Sequence, residues 1–94
     1  PERTLAGDES ARQLLIDEIY QPLEAAGGSV LDTVVAYLDS GRSLEGAART
    51  LFVHANTVRY RLKRAAELTG RDLADPRDAF SVRMAVTLGR LNVT

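Results

Sequence analysis

The sequence contains no cysteine and no tryptophan, and its only histidine is His54. Without cysteine the chain cannot form a disulfide framework or a thiolate metal site, and a single histidine makes a zinc site implausible. No apolar run approaches the roughly 18 residues that span a membrane, and no signal peptide opens the chain. We therefore expect a cytoplasmic protein that carries no cofactor and no metal.

Groups that perform catalysis are also scarce. There is no thiol nucleophile, no glycine-rich phosphate loop and no clear carboxylate pair aligned on a buried face. The length of 94 residues, with 45% hydrophobic and 27% charged residues, is that of one small globular domain and not of a disordered tail. The sequence thus predicts a single domain over residues 1–94 that is not an enzyme.

Charge is distributed unevenly along the chain, although the net charge is only −1. Residues 1–41 contain two basic and eight acidic side chains, whereas residues 42–71 contain seven basic and two acidic ones. Residues 72–94 hold three of each sign. A basic block between an acidic front and a neutral end indicates an electrostatic contact with a polyanion such as nucleic acid.

Helical periodicity dominates the sequence, and no segment is a convincing strand. Capping residues and helix-stopping glycine or proline divide the chain into five helical segments. These are about 8–20 within an N-terminal unit 1–22, about 30–40 after a capping box at Ser29 and Asp32, 44–51 after an N-cap at Ser43, about 55–69, and about 76–91 after an N-cap at Asp75. We therefore predict an all-α fold, a small five-helix bundle.

Two apolar stripes at helical spacing mark the first and last helices. They are Leu14, Leu15, Ile19 and Leu23 near the N-terminus, and Phe80, Met84, Leu88 and Leu91 near the C-terminus. Both stripes are interpreted as core, because buried helix faces repeat with this spacing. In a domain this small, the alternative is that part of either stripe forms a dimer surface.

Residues 43–64 have the spacing of a helix-turn-helix unit. Ala47 and Ala48 are small enough to let two helices cross at a steep angle. The apolar residues placed to fill that angle are Leu51, Val53, Val58 and Leu62. Because any helical hairpin can reproduce such spacing, the residues on the outer face of the second helix are the stronger indication of function.

The predicted helix 55–69 has an apolar inner face and a polar, cationic outer face. With 100° per residue, the inward direction is shared by Val58, Leu62, Ala65 and Thr69. The outer side carries amide, hydroxyl and cationic groups, on Asn56, Thr57, Arg59, Tyr60, Lys63 and Arg64. Such groups hydrogen-bond base edges and neutralise phosphates, so the pattern predicts a recognition helix in the major groove of duplex DNA. The alternative is an ordinary solvated face.

This part of the chain resembles the C-terminal helix-turn-helix of PucR/CdaR-type transcription regulators. The resemblance covers residues 29–79 and is carried by Ala36–Leu38, Ala47 and Ala48, Val53 and His54, Asn56–Leu62, Glu67–Leu73, and Asp75 and Pro76. Residues 43–64 are also similar, more distantly, to the Fis-type DNA-binding unit. The resemblance implies a bacterial transcription regulator that binds B-form DNA as a homodimer or higher oligomer, with an effector-sensing region before Pro1.

Ala55 departs from the family pattern, which usually has a basic residue, most often arginine, between the histidine and the asparagine. In the Fis-type unit an arginine there reads guanine, whereas alanine offers only an apolar contact, for instance to a thymine methyl. We therefore expect a major base contact to be absent or displaced. Phe52 is a second departure, since many helix-turn-helix units have glycine in that turn.

The predicted DNA-binding residues are Ser43, His54, Ala55, Asn56, Thr57, Arg59, Tyr60, Lys63 and Arg64. Ser43 and His54 are also expected to cap the helices that follow them, and Thr57 is a further capping candidate. For Tyr60 the alternative is packing against a neighbour. Arg61 lies at the boundary of the buried face, where pairing with an acidic neighbour is an equal alternative, and Arg71 with Asp72 is interpreted as a structural turn.

A second function class remains open from the sequence alone. The basic face would also suit a helical module that docks an acidic partner protein, or that serves only for dimerisation. An apolar outer stripe on helix 55–69, without Asn56 and Thr57 at its start, would have favoured that interpretation.

Overall fold

The computed structural model describes the backbone of residues 2–91 and the side chains of residues 9–91. Its elements are α1 (Glu2–Leu15), a π-helical segment (Ile16–Tyr20), α2 (Gln21–Ala25), α3 (Val30–Asp39), α4 (Leu44–Leu51), α5 (Ala55–Thr69) and α6 (Pro76–Leu91). The backbone stays right-handed helical at both junctions of the π-helical segment, so the first three pieces form one continuous N-terminal rod. Counting the rod as one helix, the predicted all-α, five-helix fold is confirmed, and residues 2–91 contain no strand.

The N-terminal rod is longer than the sequence pattern predicts. It begins at Glu2 and continues through Pro22 to Ala25, whereas the prediction ended a helix at Tyr20 and an N-terminal unit at residue 22. Proline has no amide hydrogen, and its ring crowds the preceding helical turn. The wider π-helical turn removes this conflict, since the Gln21 amide bonds the Ile16 carbonyl five residues back.

The start of α3 corrects a second expectation. Ser29 has a left-handed backbone, with φ of 68°, and its side chain caps nothing, so the predicted capping box with Asp32 is wrong. An N-cap residue normally has extended backbone, whereas here Gly27 and Gly28 also lie at positive φ and carry the chain through a left-handed turn. The Thr33 hydroxyl bonds the Ser29 carbonyl at 2.7 Å instead.

The core lies where α3 packs against both α4 and α5. Val34 on α3, Ala47 on α4 and Val58 on α5 are each 0% exposed at this junction. Because the side chain of Ala47 is a single methyl group, α4 and α5 can cross closely, as the sequence predicts. The three helices thus hold α5 in a fixed orientation with one face free.

The two apolar stripes predicted as core are only partly buried. On α6 the buried residues are Ala79, Val82, Ala85, Val86 and Gly89, whereas Phe80, Met84 and Leu91 are 66%, 39% and 72% exposed and Leu88 is half-buried. In the rod, Ile19 and Leu23 are buried, but Leu14 is 57% exposed and Leu15 is half-buried. The physical reason is close approach, because a Cβ at Gly89 would lie 2.2 Å from the Tyr20 ring. Small residues of α6 therefore face the rod, and the large ones face outward.

Candidate nucleic-acid interface

The candidate site is built on two capped helices joined by a tight turn. The Ser43 hydroxyl accepts the Gly46 amide hydrogen at 2.9 Å, so the predicted N-cap of α4 is confirmed. The bounds of α4 and α5 agree with the predicted 44–51 and 55–69. Local capping thus fixes the residue at which α4 begins.

The turn between α4 and α5 is closed by backbone hydrogen bonds. The Phe52 amide bonds the Arg49 carbonyl at 3.3 Å, and the Val53 amide bonds the Ala48 carbonyl at 3.1 Å. Phe52 takes the left-handed conformation that glycine usually supplies in such a helix ending, with φ of 58°. Its side chain is 94% exposed, so Phe52 contributes no burial in exchange for its unfavourable backbone.

His54 caps the start of α5, as predicted. Its Nδ1 accepts the Asn56 amide hydrogen at 3.0 Å, and the ring is exposed. In the neutral imidazole an accepting Nδ1 leaves the hydrogen on Nε2, which is then available as a donor. The side chain is therefore able to cap the helix and to donate to a phosphate at the same time. Thr57 is half-buried and makes no cap bond in the described part of the chain.

The two faces of α5 are separated as the helical wheel predicts. Val58, Ala65 and Thr69 are buried, and Leu62 packs against the core. The exposed side chains of the outer face are Asn56, Arg59, Tyr60, Lys63, Arg64 and Glu67. The structure thus brings together on one surface every predicted outward residue except Thr57, which lies at its edge.

Basic side chains near the site divide into two groups. Arg42 bonds the Ala74 carbonyl at 2.9 Å, Arg61 bonds the Thr33 hydroxyl at 3.3 Å, and Arg71 lies 3.6 Å from a Glu18 carboxylate oxygen. These three serve the fold, as the sequence indicated for Arg71, while the partner of Arg61 is a hydroxyl and not an acidic residue. The second group has no carboxylate partner within residues 9–91 and comprises Arg49, Arg59, Lys63 and Arg64.

Arg49 was not assigned by the sequence reasoning. It lies exposed in the last turn of α4, three residues before the turn that leads to α5. The place of Arg49 in the basic block 42–71 could have indicated a DNA contact, but its spacing within α4 did not show whether the side chain is exposed. Arg49 is thus one more exposed cation close in sequence to the turn.

The first turn of α5 contains a hydrogen bond that the sequence reasoning did not identify. Arg59 Nη1 donates to Asn56 Oδ1 at 2.7 Å, and both side chains are exposed. Ala55, one residue earlier, is half-buried and packs against the core. Farther along the helix, Tyr60, Lys63, Arg64 and Glu67 line a small surface pocket, and Tyr60 is 69% exposed.

Behind the site, the junction of α5 and α6 is fixed by side-chain caps. Asp75 Oδ1 accepts the amides of Arg77 and Asp78 at 2.8 and 3.3 Å, which confirms the predicted N-cap of α6. Asp72 accepts the Ala74 amide at 2.9 Å and donates its own amide to Asp78 at 2.8 Å. Local hydrogen bonds thus connect residues 71–78, and they include the structural turn that the sequence indicated at Arg71 and Asp72.

Other kinds of site find no support in the described residues. No group of histidine, cysteine, aspartate or glutamate side chains there is arranged to hold a metal ion. None of the helices described has the length and apolar character that crossing a membrane requires. The exposed, cationic outer face of α5 is therefore the surface with the clearest chemistry.

Comparison with known proteins finds a matching family model and a similar solved structure. Residues 30–88 match the PucR C-terminal helix-turn-helix domain. The crystal structure of a regulator of polyketide synthase expression from Bifidobacterium adolescentis is similar in fold, with a TM-score of 0.88 and 48% identity. That similarity covers 100% of this chain and 40% of the Bifidobacterium chain.

Relatives of known sequence are much longer than this chain. An uncharacterized protein of Mycobacterium tuberculosis is 53% identical over 92 residues, which cover 98% of this chain and 22% of that protein. The purine catabolism regulatory protein of Bacillus subtilis is 40% identical over 63 residues, covering 67% of this chain and 12% of that protein. The chain therefore spans only about a fifth of the Mycobacterium relative.

Proposed function

The chain belongs to the PucR C-terminal helix-turn-helix family, and from this premise we propose that it binds duplex DNA sequence-specifically through α5 in the major groove. The family is one of transcription regulators and not an enzyme class. In the proposed role the domain directs a longer regulator to its operator in the bacterial cytoplasm. Effector sensing would then belong to other parts of that protein, before Pro1.

One observation carries the proposal, namely the separation of faces on α5. Its inner side is fixed by Val58 and Ala65, whereas Arg59, Lys63 and Arg64 point outward without carboxylate partners among residues 9–91. An unpaired cationic row beside the exposed amide of Asn56 suits a surface that contacts phosphates and base edges together. The free amides at the start of α5 and the helix dipole add affinity for phosphate.

We assign roles to the remaining residues on the same basis. Lys63 and Arg64 contact phosphates along α5, and Tyr60 donates its hydroxyl to a third. His54 donates from Nε2 while it caps the helix, and Ser43 at the start of α4 contacts the opposite side of the groove. Thr57 lies at the edge of the interface.

Salt dependence of binding tests the proposal. Fluorescence anisotropy on labelled duplex DNA should give an affinity that falls with salt, with a log–log slope of about −0.9 for each phosphate neutralised. Lys63→Ala should weaken binding on all sequences and make that slope about 0.9 shallower. Arg12→Ala, on the acidic rod, is the control and should change neither quantity. If the wild-type domain binds no duplex but does bind an acidic protein, the interaction-module alternative replaces this one.

We also propose that the domain acts as a homodimer through the outer stripe of α6. Phe80, Met84 and Leu91 lie on one face of this helix and are exposed, and Arg77 and Arg90 flank them. The N-terminal rod offers a complementary surface, since exposed Leu14 is followed one turn later by the exposed Asp17. Apolar surface with opposite charge at its rim suits docking of the rod of one copy on α6 of another.

Sedimentation velocity tests the dimer separately from DNA binding. The double variant Phe80→Ser with Met84→Ser should be monomeric at concentrations where the wild type is dimeric. Phe52→Ser removes a still more exposed aromatic side chain elsewhere and should leave the dimer intact. A monomeric wild type contradicts the dimer, and dissociation by the Phe52 variant alone would place the contact at the turn.

A further inference from the structure

We infer that Arg59 reads a guanine base and that Asn56 holds the Arg59 side chain in position to do so. The inference rests on the proposed function, because it concerns which group on α5 contacts a base edge. It assigns sequence specificity to one side chain and separates Arg59 from the other cations of the helix.

The hydrogen bond between the two side chains fixes where the guanidinium lies. Arg59 Nη1 donates to Asn56 Oδ1 at 2.7 Å, three residues back along the helix. Long helical side chains extend toward the N-terminus, so this bond places the guanidinium over the first turn of α5. Residues at the start of a recognition helix are the ones that contact base edges in a major groove.

The donors that remain on Arg59 match guanine. One Nη1 hydrogen is used by Asn56, and the edge formed by Nε and Nη2 has no acceptor among residues 9–91. Guanine presents O6 and N7 as two adjacent acceptors in the major groove, which arginine contacts with two donors. A planar edge with two parallel donors is thus free and exposed at the start of the helix.

The same bond makes Asn56 a positioning residue. Asparagine reads adenine by accepting from N6 through Oδ1 and donating to N7 through Nδ2. Here Oδ1 already accepts a charge-assisted bond from Arg59, which competes with the adenine N6 donor. The amide therefore stabilises one orientation of the guanidinium, which lowers the entropy lost when the arginine meets a base.

Ala55 leaves room for this arrangement. It precedes Arg59 by four residues, a spacing that places both on neighbouring positions of one helix side. Its side chain is a single methyl group that packs partly against the core. No second cation at the helix start therefore competes with Arg59 for the same base edge, whereas Lys63 and Arg64 lie one turn or more farther along α5.

Selection of bound fragments from random duplex DNA, followed by affinity measurements, tests the inference. Sites selected by the wild type should share a guanine whose replacement by adenine weakens binding roughly 5- to 150-fold. Arg59→Lys keeps the charge but not the two-donor edge, so it should reduce that preference to about threefold or less. Asn56→Ala should give an intermediate preference, and Arg12→Lys on the rod should leave it unchanged.

Several outcomes would overturn the inference. The first two are that Arg59→Lys, or Asn56→Ala, retains the full guanine preference. The third is that Arg59→Ala loses affinity equally on all sequences and has a salt slope about 0.9 shallower, because that result indicates a phosphate contact. Unchanged circular dichroism and thermal midpoints show that the variants are folded, since both side chains are exposed. Failure of the wild type to bind any duplex contradicts the proposed function itself.

Discussion

The helix-turn-helix half of the molecule, Ser43–Gly70, and the half formed by the N-terminal rod with α6 are stabilised in different ways. In the first half, side chains cap both helices locally, through Ser43 and His54. In the second half, the defining contact is the Tyr20 ring against Gly89, which are far apart in the sequence. The comparison teaches that neighbouring residues set where α4 and α5 begin, whereas long-range fit sets which face of α6 packs against the rod.

Gly89→Ala should disrupt the supporting half most strongly. The new Cβ would lie 2.2 Å from the Tyr20 ring, which is itself buried and has little space to move. Overpacking of this kind costs about 3 kcal/mol, and the better helix propensity of alanine returns about 1 kcal/mol. We expect urea unfolding to show a net loss of about 2 kcal/mol.

The control for this variant is Thr87→Ala, at an exposed position of the same helix, where we expect a change within about 0.5 kcal/mol. Below the unfolding transition, Gly89→Ala should retain its affinity for DNA, because α4 and α5 do not contain the altered contact. A stability equal to that of the wild type would show that the rod and α6 move apart easily. The supporting half would then not depend on a close fit between Tyr20 and Gly89.

Ser43→Ala should affect the helix-turn-helix half by a smaller amount. It removes the acceptor of the Gly46 amide at the start of α4, and loss of such a cap costs about 1 kcal/mol. Ser43→Asp retains an acceptor and should recover most of the stability in chemical denaturation. Equal losses for the alanine and aspartate variants would mean that capping is not what the serine provides.

The same division explains how much of the structure the sequence could predict. The bounds of α4 and α5 agree with the prediction because their N-caps act within three residues, at Ser43 and His54. The inward face of α6 was predicted incorrectly, since choosing Ala85 and Gly89 over Phe80 requires knowing that Tyr20 packs there. Continuation of the rod through Pro22 likewise depends on a π-helical turn that no local propensity indicates.

The candidate site could be predicted as a face but not as a set of contacts. An angle of 100° per residue is enough to place Arg59 and Lys63 on the outside of α5. The bond from Arg59 to Asn56 depends on side-chain rotamers, and the three-residue spacing only permits it. Arg61 shows the same limit, because its hydroxyl partner on α3 lies 28 residues away.

Phe52→Gly should stabilise the helix-turn-helix half, whereas the variants above destabilise the protein. Phe52 has φ of 58° and is 94% exposed, so its replacement removes backbone strain without loss of burial. Relief of a left-handed conformation gives about 1 to 2 kcal/mol, partly offset by the greater freedom of glycine in the unfolded chain. We expect a stability gain of up to about 1 kcal/mol in urea unfolding. A clear loss would reveal that the aromatic ring packs on the turn.

Tyr20 makes a pH-dependent contribution to the stability of the supporting half. The neighbouring Glu24 carboxylate, acting on the phenol, and then burial raise the pKa of Tyr20 above its ordinary value of 10.0. Because the folded pKa lies above the unfolded one, this stabilisation is complete below about pH 10 and is lost as the pH rises through the folded pKa. Unfolding free energies at about pH 8 and about pH 11 should therefore fall more for the wild type than for Tyr20→Phe. An equal fall in both proteins would show that the phenol ionises as readily in the folded chain as in the unfolded one, and that the contact with Gly89 stabilises the rod by shape alone.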